Sequence, residues 1–498
     1  IKTEAGEVFE DEVPLELLEV IKEEAVEDKV YQVRQLCLAL EMEMGYHEMS
    51  VSLKGKSKKA KTSLIIVPDK CYMPTVLEEE KKVFGYPIQL YSLKSKTNWG
   101  IGDYSDLKKA LELATRVCEY IEKDELTAED KKAIHDESIE NFNKFYNPGW
   151  LEYRKSVSND AAFVEWEDDG DVFRDLNGVE FIDCLGGFGI YACGHNNRQI
   201  KKTVAAQLDR YCLHSQELVD PLRGYLCKLI AMVTPGDMQY SFLTNGGAEA
   251  VEMALKLARL ATGGKWFIST VNAFHGKSMG AISMGGKAAY REDYIPMIQQ
   301  VQHVEYGNAE ATRAAVKNLT AVGEKVAGII VEPIQGEGGV IIPPDGYMKE
   351  LRAIADEYGC CLIADEIQTG FGRCGTWFRC NHDDVTPDIM TFGKATSGGV
   401  VPITGIVARP WTYEKSGVGT GEEGKMFSNP WILGSPTFGG NPLACSAMIA
   451  TIKFMIENDI PGQMKEKGDY YLAGLAKLQE KYPTVLKTFR GAGLLICT

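Results

Sequence analysis

Two charged residues stand where apolar strands should end. The run CCLIAD delivers Asp365 from a wholly apolar stretch, and a carboxylate there is costly to bury without a cationic or hydrogen-bonding partner. The segment TPDIMTFG is followed by Lys394, which leads into the glycine pair of KATSGG. Taken singly each reads as structural, with a helix cap or a buried ion pair as the partner of the aspartate. Together they fit one ligand: an aldehyde that condenses with the lysine amine and carries a ring nitrogen kept protonated by the aspartate. Pyridoxal phosphate meets that description. It requires an anion site, and TNGGAEAVEMALKLA (244–258) offers a glycine turn at a helix N-terminus, where backbone N–H groups and the helix dipole favour a phosphate. It also requires an aromatic face, and NAFHGKS (272–278) supplies Phe274 for stacking, with His275 read as a structural histidine.

These residues need a scaffold that brings strand ends together. From about residue 185 the chain alternates short apolar runs with amphipathic segments, the pattern of an α/β fold. Strands are predicted at 240–243, 265–270, 326–333, 360–366 and 389–392. Helices are predicted at 248–261, stopped by Gly263 and Gly264, and at 346–358 after PPDG. In open α/β sheets ligands bind beyond the carboxyl ends of strands, where Asp365 and Lys394 fall.

Composition narrows the function further. With 498 residues, 45% hydrophobic and 25% charged, the chain is long enough for two or more domains and is not disordered. A formal charge of -16 argues against a protein that tracks nucleic-acid phosphates. The basic run KGKSKKAK (54–61) has no interleaved aromatic and reads as a solvated loop between strands. Thirteen cysteines, scattered and partly inside apolar strands, suit a reducing cytoplasm. Cys374, Cys380 and His382 lack a second pair at ligand spacing, so no metal is expected. No apolar run of membrane-spanning length occurs.

The phosphate loop, the aromatic-His-Gly of 274–276, VEPIQGEGG (331–339), ADEIQTGFGR (364–373), FGKATSGG (392–399) and TFGGNPLAC (437–445) follow one another in an order that resembles the class III pyridoxal-phosphate aminotransferases. The resemblance implies the fold type I architecture of pyridoxal-phosphate-dependent transferases, an α/β large domain on a mostly parallel sheet with a small α+β domain, here truncated at its C-terminal part. It implies that Lys394 takes the cofactor aldehyde and shuttles the proton, and that Asp365 pairs with the pyridine nitrogen. Gln368 would lie near the ring hydroxyl, Gly247 and Ala248 would hold the phosphate, and Thr437 would reach the phosphate from the other subunit of a homodimer. Glu332 would line the substrate side, and Glu337 corresponds to the family's switch glutamate. One departure stands out: the loop reads Asn245-Gly246-Gly247-Ala248, where many members place a serine before the second glycine.

Within the family, NPGWLEYRKSV (147–157), FIDCLGGFGIYACGHNN (181–197) and LHSQELVDPLRG (213–224) are similar to the putrescine aminotransferases. The implied reaction moves the terminal amine of putrescine to 2-oxoglutarate, with other class III ω-aminotransferases, for ornithine or 4-aminobutyrate, as the alternative. The segment 64–114 instead resembles the start of a 4-α-glucanotransferase barrel of the amylomaltase type, around QLYSLKSKTNWGIGD. That gives a function of a different class, but about fifty residues cannot close such a barrel. The expected organisation is an unassigned polar region at 1–63, the glucanotransferase-like fragment at 64–114, an aminotransferase N-terminal segment at 115–185, the cofactor-binding large domain at 186–445, and the start of an incomplete small domain at 446–498. The foreign N-terminal piece, the missing initiator methionine and the stop at RGAGLLICT together predict a fragment or fusion that is a poor enzyme as it stands.

Overall fold

The structure is a computed structural model that describes residues 1–26, 29–36, 45–55, 59–66, 104–153, 163–214 and 218–498. Most of the glucanotransferase-like segment, 67–103, lies outside the described residues. The chain divides into two compact units, Ile1–Lys123 and Asp124–Thr498.

The first unit contains two antiparallel hairpins, Glu19–Val26 with Lys29–Gln35 and Gly45–Ser52 with Lys59–Ile66, and a helix at Tyr104–Glu122. Of the described residues of the basic run, Lys59, Ala60 and Lys61 belong to the outgoing strand of the second hairpin and not to a loop, and exposed Lys54 and Lys61 pair with Glu12 at 3.0 Å and Glu48 at 2.8 Å. Surface pairs of this kind contribute little to stability, and they place acidic groups beside the lysines.

The second unit is built on a seven-stranded sheet: β1 (Tyr240–Thr244), β2 (Trp266–Thr270), β3 (Val301–Val304), β4 (Val326–Val331), β5 (Cys361–Asp365), β6 (Ile389–Phe392) and β7 (Thr404–Ala408). Their spatial order is β3-β2-β4-β5-β6-β7-β1. Neighbours from β3 to β6 are parallel, and β7 runs antiparallel to both β6 and β1. Strands β4 to β7 are buried along their whole length, as their continuous apolar runs require in a sheet covered on both faces. Alternate residues feed two cores. Ile330, Ile363, Ile389 and Ile406 pack with Val251 and Leu257 of helix α1 (Gly247–Thr262). Leu362, Met390 and Val407 pack on the other face with Leu351 of α2 (Tyr347–Tyr358) and Met448 of α3 (Pro442–Glu457). Helix α1 stops at Gly263, whose φ of 69° is the left-handed conformation that glycine adopts without strain.

The predicted strands and both predicted helices are present. Two strands of this sheet escaped the sequence reading. β3 is only four residues long, and β7 carries Gly405 and follows Pro402, so neither shows a strong period or an unbroken β-branched run. Among the described residues no helix is long and apolar enough to cross a membrane, and no group of three or more His, Cys, Asp or Glu could hold a metal ion.

Candidate active site

Four strand termini meet at one edge of the sheet. Parallel pairing sets Asp365, the last residue of β5, opposite Thr391 of β6, and Lys394 follows two residues beyond the end of β6. Because β7 is antiparallel, its first residue Thr404 lies at the same edge, opposite Thr244 at the end of β1. The glycine turn into α1 comes next, so the anion-binding amides reach the same place.

A cavity of about 240 Å³ opens there, lined by Gly247, Ala248, Phe274, His275, Glu332, Asp365, Gln368 and Lys394 among others. Six of the predicted cofactor positions are thus gathered around it, together with Glu332. Glu337 and Thr437 are not among the lining residues. The Glu337 carboxylate accepts from the Tyr290 hydroxyl at 3.3 Å, and its carbonyl accepts from Lys287 Nζ at 3.2 Å. Thr437 is exposed on the chain surface.

Asp365 is buried. Its Oδ2 accepts from His275 Nδ1 at 2.7 Å, while Oδ1 accepts from Thr391 Oγ1 at 2.8 Å and from the amide of Ile367 at 3.2 Å. Burial alone would push the carboxyl up; these donors, His275 foremost, hold it below its ordinary range. The His275 pKa is raised in turn: burial works against the charge, and Asp365 and Glu332 outweigh it. Its Nε2 is buried without a hydrogen bond. The sequence reading made His275 structural; it lines the cavity and steers Asp365, a role that only its 90-residue-distant partner reveals.

Glu332 is buried, and its two oxygens accept from the amides of Phe274 at 2.9 Å and Gly336 at 3.0 Å. It thereby fixes the backbone that carries the Phe274 ring. Burial dominates its titration and pushes it up to about 7. Lys394 occupies a left-handed backbone conformation, φ 51°, which costs roughly 1–3 kcal/mol for a residue with a Cβ and persists only where surrounding structure enforces it. Burial lowers its ammonium pKa, and Asp365, Glu332 and Glu337 offset that only in part. A lysine tuned this way has more of the neutral amine that attacks a carbonyl.

At the start of α1, Glu249 turns back so that its carboxylate accepts from the amides of Asn245 at 2.8 Å and Gly246 at 3.3 Å. The amides of Gly247 and Ala248, which border the cavity, belong to the first helical turn and have no intrahelical acceptor. Gly276 presses on the same turn: a Cβ there would stand 2.7 Å from the Cβ of Ala248. The donor set suits pyridoxal phosphate at each end, with helix amides for a phosphate and an anionic, buried Asp365 for a protonated ring nitrogen.

The sheet order, with the lysine and the aspartate on adjacent strand ends, defines a pyridoxal-phosphate-dependent transferase of fold type I. Residues 153–498 match the family described as Aminotransferase class-III, and the chain belongs to that family. Solved structures agree. Ornithine aminotransferase from Toxoplasma gondii ME49 is 27% identical with a TM-score of 0.61, over 74% of this chain and 84% of that one. Taurine:2-oxoglutarate aminotransferase from Bifidobacterium kashiwanohense, in complex with PLP and glutamate, is 27% identical with a TM-score of 0.65, over 75% and 83%. An (S)-enantioselective omega-transaminase from Thermomicrobium roseum is 27% identical with a TM-score of 0.63, over 72% and 82%. Pyridoxal phosphate is the cofactor of this chain's family.

Proposed function

We propose that this aminotransferase moves the terminal amine of a diamine, putrescine, to 2-oxoglutarate. The segments at 147–157, 181–197 and 213–224 support the choice of donor. The observation that carries the reading is acidic: Asp365, Glu332 and Glu337 all act on Lys394, so a cationic amine approaches an anionic surround. Glu337 is the carboxylate of the three outside the cavity lining, at the position suited to a second ammonium.

When bound, pyridoxal phosphate supplies the electron sink for breaking the C–H bond next to the amine. The amides of Gly247 and Ala248 hold its phosphate, Phe274 stacks on the ring and Gln368 faces its hydroxyl. Asp365 keeps the ring nitrogen protonated, and Lys394 Nζ moves the proton between the two carbons involved. Thr437, exposed on its own chain, serves the phosphate of a second copy, so the active form is a homodimer.

Amines assayed against 2-oxoglutarate test the donor. Putrescine should give the highest kcat/KM; faster turnover of ornithine, taurine or 4-aminobutyrate would overturn it and leave a generic ω-aminotransferase. Sedimentation tests the assembly, and a fully active monomer would remove the role given to Thr437.

A further inference from the structure

Between Asp183 and His195 the chain makes an unusual turn. Gly186, Gly187 and Phe188 are consecutive left-handed residues, with φ of 61°, 57° and 58°, and Phe188, which carries a Cβ, keeps such a backbone only where its surroundings enforce it. His195 joins the two ends of this stretch. It is buried, its Nε2 meets Asp183 Oδ2 at 2.8 Å, and its Nδ1 meets Asp168 Oδ2 at 2.9 Å. Both contacts are hydrogen bonds to ionised carboxylates only when both ring nitrogens carry a proton. Burial pulls the His195 pKa down, and the two aspartates outweigh it and raise it. Asp183 Oδ1 accepts from the amides of Leu185 and Gly186 at 2.8 Å each, which sets the entry to the left-handed turn. On the other side, the His195 amide donates to the Gly170 carbonyl at 2.7 Å and its carbonyl accepts from the Gly170 amide at 3.1 Å, at the hairpin of Glu165–Asp169 and Val172–Asp175.

The turn so held touches two residues of the cavity. The Phe188 carbonyl accepts from Gln368 Nε2 at 3.0 Å. A Cβ placed on Gly189 would stand 3.6 Å from Lys394 Cδ and 3.8 Å from Gln368 Cγ, so the backbone there lies against both stems. The Tyr191 ring makes a second link. It stacks on the His195 imidazole with centroids 3.6 Å apart, and a Cβ on either Gly187 or Gly399 would stand 2.8 Å from it. Gly187 belongs to the turn, and Gly399 closes the KATSGG segment that begins at Lys394. Histidine, tyrosine and turn thus pack as one unit against the segment that carries the reactive lysine. Gln368 and Lys394 line the cavity and His195 does not, so the histidine acts on them only through the turn.

We infer that His195, clamped between Asp168 and Asp183, is a positioning residue that holds the 186–189 turn against Gln368 and Lys394 and so fixes the Gln368 amide beside the ring hydroxyl of the cofactor. The inference rests on the proposed place of Gln368 facing that hydroxyl. A glutamine at 195 presents its donors from one nitrogen and cannot span carboxylates on opposite sides of an imidazole, so one aspartate loses its donor. Loss of a hydrogen bond to a charged group of this kind shifts an opening equilibrium about 10- to 100-fold.

The test compares full-length wild type, His195→Gln, Gln368→Ala and, as a control for general loosening, Leu226→Ala, a buried core truncation outside the cavity lining. In the cofactor-free chain, hydrogen exchange of the amides of 185–191 should speed up at least ~10-fold in His195→Gln, with the central sheet unchanged. In the cofactor-loaded chain, the pH midpoint of the absorbance of the lysine-bound cofactor should move by at least ~0.5 unit in His195→Gln, in the same direction as in Gln368→Ala, and stay in place in Leu226→Ala. A midpoint that moves in Gln368→Ala but not in His195→Gln, one that moves as far in Leu226→Ala, or exchange that rises equally throughout the chain would overturn the inference. If Gln368→Ala leaves the midpoint unmoved, the place given to Gln368 fails, and the exchange at 185–191 alone judges the clamp. If His195→Gln does not fold, Asp168→Ala, which removes the partly exposed outer carboxylate and keeps the Asp183 bonds, decides by the same two readings.

Discussion

His275 Nδ1 donates to Asp365 Oδ2 across 2.7 Å inside the protein, and the same aspartate is held by Thr391 on the adjacent strand. The histidine keeps the carboxylate ionised in a place where burial favours the neutral acid. Such a group stabilises the fold above the ordinary aspartate range and loses that contribution as pH falls through its lowered value. His275→Asn should raise the Asp365 pKa, so the acid limb of the pH–rate profile moves to higher pH. Asp365→Asn should remove that limb and cut turnover at least ~100-fold at every pH. An unmoved limb in His275→Asn would show that the histidine does not govern the aspartate.

Lys394→Ala should abolish turnover, by at least ~100-fold, with the fold retained, because covalent capture and proton transfer are lost together. Borohydride treatment followed by digestion should label the peptide containing Lys394 in the wild type and no peptide in the variant. A variant of near-normal rate would place the reactive amine elsewhere.

Glu332 is pushed up to about 7 from an ordinary 4.5 by burial. Its proton is held more tightly in the folded chain, so its contribution to stability is full below 4.5 and is lost as pH rises through about 7. Glu332→Gln removes this dependence. Melting temperatures compared from about pH 5 to pH 8 should show the variant gaining on wild type as pH rises. Its amide has one acceptor oxygen where the carboxylate serves both Phe274 and Gly336, so activity should fall about 10-fold.

Gly276 has a φ of 117°, and a Cβ on it would stand 2.7 Å from Ala248 Cβ and 2.9 Å from Ala248 Cα. Gly276→Ala should therefore destabilise by ~1–3 kcal/mol and push Ala248 away from the cavity. Dialysis should strip pyridoxal phosphate from this variant faster than from wild type. Retention equal to wild type would show that the turn absorbs the methyl group without moving the amides.

The chain's own order of residues determined the scaffold and the chemistry. Apolar runs too long to face water dictated buried strands; Gly263 ended α1; a lysine and an aspartate at strand ends announced a carbonyl chemistry, because charges are found in such places only with partners. Local sequence carries these signals because propensity and period act over a few residues. What joined them was tertiary. His275 became the partner of Asp365 only when parallel pairing of β5 and β6 and the loop after β2 brought residues 90 positions apart to 2.7 Å. Glu332 acquired its raised pKa from burial beside that pair, and Glu249 was found turned onto Asn245 and Gly246, leaving Gly247 and Ala248 at the cavity. Hydrogen-bond competition, burial and the approach of distant glycines are properties of three-dimensional neighbours, and no spacing along the chain encodes them.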